Sequence, residues 1–252
     1  MKYLHNILTV ATLLGTAFSQ TKLKIMPLGD SITEITCWRP IVWDNLAAAG
    51  LTSRVQFVGS MTNNPQNCAA QTPGWDLHHE GHSGYLAIDI ANNYLANWLA
   101  AAKPDVVMFM LGTNDVAQQA RPTSEITAAY TKMVGLMRAS NPNMKIIIDT
   151  LIALSFSQAR ITELNNAIPA WAQSLNTTAS PIYVVDCSTG FTTAMLRDGV
   201  HPNAQGDALI ASRISPVLID VVKRALATAT ATATATAPRT TFSTVAVAAV
   251  RD

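Results

Sequence analysis

Four short clusters of polar residues and glycines hold the side chains with chemical potential in this sequence. They are Gly29-Asp30-Ser31-Ile32, Gly81-His82-Ser83-Gly84, Gly112-Thr113-Asn114-Asp115 and Asp198-Gly199-Val200-His201-Pro202. Their residue types are those that acyl transfer needs. A serine hydroxyl is a weak nucleophile until a neighbouring imidazole accepts its proton. The imidazole works best when a carboxylate fixes its tautomer and stabilises the imidazolium. Ser31 supplies the hydroxyl, His201 the base and Asp198, three residues earlier, the orienting carboxylate. A tetrahedral oxyanion then needs preorganised donors at about 2.7–3.1 Å. The candidates are the backbone N–H groups of Ser31 and Gly84 and the side-chain amide of Asn114.

Each residue also has a plainer reading. Ser31 and Asn114 are good helix caps, Asp198 a good turn or cap residue, and Gly84 a turn glycine. Asp30 shares a turn with Ser31, which directs it away from the triad; it is read, with Glu34 and Asp115, as a structural hydrogen-bonder. Ser83 lacks the Gly-x-Ser-x-Gly context of a nucleophile elbow. His78, His79, Glu80 and His82 are zinc-ligand types. However, His79 stands where a helical zinc-protease motif requires Glu, so neither a metal nor a cofactor is expected. Trp38 and Trp75 flank the clusters and offer sugar-stacking surface, with helix-start packing as the alternative for Trp38. Trp98 and Trp171 fall in helical patterns and are read as core.

The elements that must position these clusters are legible in the hydrophobic pattern. Strands are expected at Lys24–Leu28, Val55–Gly59, Asp105–Leu111, Lys145–Asp149 and Ile182–Asp186. Several are continuous apolar runs, the mark of strands buried on both faces. Helical patterns fall at Trp38–Ala49, Ile88–Ala101, Thr123–Ser140, Ser157–Leu175 and Asn203–Leu226. This alternation predicts an α/β fold, a three-layer α/β/α arrangement around a five-stranded parallel sheet in flavodoxin-like order 2-1-3-4-5. In such a sheet ligands bind beyond the carboxyl ends of the strands. All four clusters then emerge on one edge.

With that order and spacing the four clusters resemble the SGNH superfamily of GDSL-type esterases, lipases and acetylhydrolases. Its name-giving residues would correspond to Ser31, Gly84, Asn114 and His201, with Ile32 where the usual Leu stands. The stretches from Met26 to Glu34, Cys37-Trp38-Arg39, His79 to Gly84 and Asp198 to Pro202 are similar to fungal members of carbohydrate esterase family three. The resemblance spans Lys24 to about Leu226. It implies acetyl xylan esterase activity, the removal of O-acetyl groups from plant-wall polysaccharide without a catalytic metal. Other esterases of the superfamily, acting on lipid, pectin or thioester acyl groups, stay open. So does a non-catalytic carbohydrate-binding protein on the same fold.

The rest of the chain bounds the context. Residues 1–19 read as a secretory signal: Lys2 and His5 form a short polar start, Ile7 to Phe18 is largely apolar, and Ala17-Phe18-Ser19 is a small-residue cleavage site. About 12 apolar residues are too few to cross roughly 30 Å of hydrocarbon, so no membrane anchor is expected. The esterase domain is placed at 20–226, long enough for one sizeable core. Ala and Thr alternate after Leu226, so 227–252 is expected to be a low-complexity tail with O-glycosylation sites. A net charge of +1, without a dense Lys/Arg stripe, argues against nucleic acid. A secreted monomer acting on acetylated polysaccharide is the expectation. In an oxidising compartment Cys37 and Cys68 are the preferred pair, leaving Cys187 as a buried thiol. Asn176-Thr177-Thr178 is an N-glycosylation acceptor.

Overall fold

The structure is a computed structural model that describes residues 22–236; the expected signal segment and the chain from Ala237 onward lie outside the described residues. Six parallel strands form its sheet: β1 (Leu23–Gly29), β2 (Val55–Phe57), β3 (Glu80–Gly81), β4 (Val106–Met110), β5 (Lys145–Asp149) and β6 (Ile182–Val185). The path runs β2-β1-β4-β5-β6, which is the expected five-strand order. The two-residue β3 was not anticipated. It pairs Leu28 with Glu80 and Gly29 with Gly81, taking the flank of β1 beyond the point where β2 ends. This short strand brings the segment before Gly84 to the end of β1, where the His82 N–H meets the Gly29 carbonyl at 3.0 Å.

Alternation along the strands explains the unbroken apolar runs. Met26, Leu28, Val107 and Phe109 face one core. It is covered by α4 (Leu95–Ala102), α6 (Thr123–Ser140) and α7 (Gln158–Leu175). Ile25, Val106, Met108 and Met110 face the other, beneath α2 (Trp38–Ala48) and α8 (Ala204–Thr236). Both faces are therefore dry, as parallel sheets require.

Three helical details depart from expectation. The short helices α1 (Ser31–Glu34) and α5 (Thr113–Gln119) start directly at the ends of β1 and β4. The predicted helix at Ile88–Ala101 is interrupted: α3 (Ala87–Asp89) passes through a π-helical turn (Ile90–Tyr94) before α4. Finally, α8 does not stop at Leu226 but runs on to Thr236 through part of the Ala/Thr repeat. Alanine is the strongest helix former, and the Thr228 hydroxyl donates back to the Arg224 carbonyl at 3.0 Å. Repetitive composition concealed that propensity. Among the described residues no helix is long and apolar enough to cross a membrane.

Cys37 and Cys68 are disulfide-bonded as expected, with Cα atoms 5.3 Å apart, and Cys187 is a buried free thiol. The bridge ties the long segment between β2 and β3 to the start of α2.

Candidate active site

The carboxyl edge of the sheet brings Ser31 and His201 together although 170 residues separate them. Ser31 opens α1 immediately after β1. Asp30 caps that helix, its Oδ1 accepting the Ile32 N–H at 2.9 Å. The capping role proposed for Ser31 thus belongs to its neighbour, and the serine hydroxyl is left to meet His201. His201 Nε2 lies 2.8 Å from Ser31 Oγ, and Nδ1 lies 2.8 Å from Asp198 Oδ2. With Nδ1–H donating to the carboxylate, Nε2 is the acceptor for the serine proton.

Asp198 builds the turn that presents the ring. Its Oδ1 accepts the backbone N–H groups of Val200 at 3.1 Å and His201 at 2.8 Å. Partial burial opposes its ionisation. The bonds from His201 and Val200 outweigh that and hold the carboxyl well below the usual carboxylate range. The orienting group is therefore an anion wherever the imidazole is neutral. Asn203 extends the same segment, its Oδ1 accepting the Gln205 and Gly206 N–H groups where α8 begins.

The candidate oxyanion donors Gly84 and Asn114 follow two further strand ends, those of β3 and β4. Gly112, at φ +108°, turns the chain from β4 into α5, where a Cβ would lie 2.7 Å from the Tyr130 hydroxyl. Asn114 on α5 donates from Nδ2 to the Tyr85 carbonyl at 3.0 Å; its other Nδ2 proton is only loosely engaged, 3.5 Å from Asp30 Oδ2. Gln118 Nε2 holds Asn114 Oδ1 at 2.9 Å and so fixes which end of the amide faces the site. Gly84 sits at φ +81° in a turn closed by Tyr85 N–H to the His82 carbonyl at 3.2 Å. That backbone shape favours glycine. Glu34 secures the turn, its Oε2 accepting the Ser83 N–H at 2.6 Å and its Oε1 the Asn63 amide at 2.5 Å. Asp115 accepts the Ala87 and Ile88 N–H groups, capping α3. The structural roles expected for Asp30, Glu34 and Asp115 are thus met by specific bonds. Replacing Asn114 with Ala removes one preformed donor, and kcat should fall on the order of 10²–10³-fold. An unchanged rate on an aryl acetate would take Asn114 out of the site.

The histidine-rich stretch is scaffolding. His79 is buried, accepts the Gly81 N–H at Nδ1 and meets the Asn63 carbonyl at Nε2. Burial pushes its imidazole down to about 4. Glu80 Oε1 takes both the Ser60 hydroxyl and His82 Nε2, and His78 Nδ1 pairs with Asp76 at 2.7 Å.

Trp38 corrects an expectation. It is 4 % exposed, and its indole N–H donates to the Ile32 carbonyl at 2.9 Å, so it packs beneath the nucleophile helix and offers no sugar surface. Trp75 is half-buried against the α2/α8 core, with the Arg39 guanidinium 5.7 Å from its ring centroid. Neither of these contacts is with the triad. Asn176 is exposed at the end of α7, its Oδ1 accepting the Ile182 N–H.

Arg39 was not singled out by sequence reasoning. Its side chain is fully buried, donating from Nε to the Thr33 carbonyl at 2.9 Å, from Nη2 to Glu34 at 3.2 Å and from Nη1 to Leu77 at 3.1 Å. It thereby clamps the end of α1 to the β2–β3 segment. Its acceptors are all main-chain carbonyls, which have no sequence signature.

Asp30 has a measurable consequence. Complete burial pushes its carboxyl up to about 7, against the opposing bond from Ile32 N–H. Between pH about 4 and 7 the folded state keeps a proton there that the unfolded chain has released, so rising pH removes stability. The gap from the ordinary Asp value near 3.9 corresponds to roughly 4 kcal/mol. Asp30→Asn keeps a capping oxygen and abolishes the titration. Its stability relative to the parent should therefore rise from pH 4 to 8 in urea unfolding; parallel pH profiles would contradict this.

A family model described as GDSL-like Lipase/Acylhydrolase matches residues 28–209. A solved serine-to-alanine variant of an acetyl esterase with an acetate ion superposes with TM-score 0.79 at 51 % identity, covering 81 % of this chain and 99 % of its own. A carbohydrate esterase family 3 structure from Talaromyces cellulolyticus gives 0.78 at 52 % identity, covering 80 % and 99 %. A family 3 carbohydrate esterase from Clostridium thermocellum gives 0.69 at 29 %, covering 82 % and 99 %. Among curated proteins, a multidomain esterase of Ruminococcus flavefaciens is 28 % identical over 213 residues, 73 % of this chain. The chain spans only 27 % of the length of that relative.

Proposed function

This chain belongs to the GDSL-like lipase/acylhydrolase family, and from that premise we propose that it is a serine esterase removing O-acetyl groups from plant cell-wall polysaccharide, acetylated xylan foremost. The observation that carries the reading is one imidazole 2.8 Å from Ser31 Oγ on one side and 2.8 Å from the Asp198 carboxylate on the other. The acetyl group is favoured by the relatives at 51 % and 52 % identity, one an acetyl esterase and the other a carbohydrate esterase.

The reaction runs in two halves. His201 Nε2 accepts the Ser31 proton as Oγ attacks the acetyl carbonyl, and the oxyanion is held by Ser31 N–H, Gly84 N–H and Asn114 Nδ2. Collapse expels the sugar oxygen, which takes the proton from His201. Water, deprotonated by the same nitrogen, then attacks the acetyl-serine, and acetate leaves as Ser31 Oγ takes that proton back from His201. Ser31, Asp198 and His201 are the catalytic residues, and the chemistry needs no metal.

The Cys37–Cys68 bridge supports export to an oxidising compartment, and exposed Asn176 is the proposed N-glycan site. The test of substrate is acetate release from acetylated xylan beside an aryl ester series. Preference for acetyl over butyryl and longer chains is expected. A preference for long acyl chains, with no acetate from the polymer, would reassign the substrate to lipid.

A further inference from the structure

One hollow outside the triad has the composition of a sugar site. It lies between β2 and α4, holds about 390 Å³, and is lined by Lys24, Gln56, Ser60, Asp76, His78 and Trp98 among others. Its volume is within the ordinary range for ligand pockets, roughly 300–1,000 Å³. The sheet explains its position. Lys24 and Gln56 are register partners on β1 and β2, and Lys24 shares a face with Met26, two residues on. That face is apolar over most of the sheet, yet here two polar side chains interrupt it.

Those side chains are unspent. Among the described residues the Lys24 ammonium and the Gln56 amide make no hydrogen bond or ion pair, and only Nδ1 of His78 is engaged. Trp98 supplies an apolar wall as part of an aromatic group. Its ring stacks on His82 at 4.4 Å and on Tyr94 at 5.5 Å, and Tyr94 is 38 % exposed. A pyranose presents the same pairing, a rim of hydroxyls around apolar C–H faces. With one ammonium and the carboxylates of Asp76 and Glu80 in its lining, the hollow favours a neutral sugar over a polyanion.

The hollow is also coupled to the catalytic edge. Glu80, in its wall, accepts the Ser60 N–H and hydroxyl and meets His82 Nε2 at 2.7 Å, and His82 begins the turn that presents Gly84. We propose that this hollow is a subsite for a neutral pyranose residue of the same polysaccharide chain whose acetyl group is held at Ser31. The proposal rests on the esterase reading for its ligand and gives the enzyme a hold on the polymer away from the acetyl group.

The test uses unacetylated linear xylo-oligosaccharides, titrated by calorimetry into the full chain and into the double variant Lys24→Met/Gln56→Ala. Neither residue contacts the triad, so aryl acetate turnover should stay within about twofold. Oligosaccharide affinity should fall about tenfold or more, and KM on acetylated xylan should rise to match. Polygalacturonate should not compete. The subsite is overturned if the parent binds no oligosaccharide, if the variant binds as the parent does, or if aryl acetate turnover falls equally. A parent that binds xylo-oligosaccharide but frees no acetate from the polymer would remove the esterase substrate and leave the subsite standing.

Discussion

Replacing Ser31 with Ala is expected to lower aryl acetate turnover by roughly 10⁴–10⁶-fold while leaving the fold intact. The size follows from what is lost. Without Oγ no acetyl-enzyme forms, and His201 can only act on a water that nothing positions. Residual catalysis then comes from the oxyanion donors and binding alone. The fold survives because Ser31 contributes little to it. The cap of α1 is Asp30, whose Oδ1 accepts the Ile32 N–H, and the serine side chain makes its bond to His201. Circular dichroism and the urea midpoint should therefore match the parent. Turnover within tenfold of the parent would remove Ser31 from the chemistry. A collapsed fold would mean that the hydroxyl is structural after all.

The second large effect is on stability. Arg39→Met keeps much of the buried side-chain volume but removes the guanidinium from three carbonyls, those of Thr33, Glu34 and Leu77. Burial pulls the pKa of this guanidinium down to about 10, so it remains a cation at neutral pH. A buried carbonyl that loses its donor costs about 1–3 kcal/mol, and here three carbonyls lose theirs together. The variant should unfold about 3–5 kcal/mol more easily in urea, a large share of a typical domain's total of about 5–15 kcal/mol. It should also lose activity beyond its unfolded fraction, because the clamp sets the end of α1 and hence Ser31. A midpoint within 1 kcal/mol of the parent would show that water replaces the guanidinium.

The contrast between these residues shows what the sequence makes legible. Ser31, Asn114 and His201 lie where a polar cluster interrupts apolar strand–helix alternation, and a parallel sheet must deliver such clusters to one edge. The same runs give the five main strands. What stayed hidden depends on tertiary partners. Arg39 acts through backbone carbonyls, β3 is two residues long, and the π-helical turn before α4 leaves no periodic trace. Trp38 was ambiguous because an aromatic residue beside a site can face either way; the Ile32 carbonyl that takes its indole proton decides the matter. The long α8 was missed for the opposite reason, since a repetitive Ala/Thr composition masked a strong local propensity.

The central claim is that Ser31 attacks the ester carbonyl with its own oxygen. It is tested most directly by treating the protein with an aryl phosphonate and locating the adduct by intact-mass and peptide mass spectrometry. One phosphonyl group on the peptide carrying Ser31 is expected, with loss of esterase activity in step with labelling and no adduct after Ser31→Ala. Full inactivation with the label on Ser83 or another residue, or sustained activity in a fully labelled protein, would contradict the account.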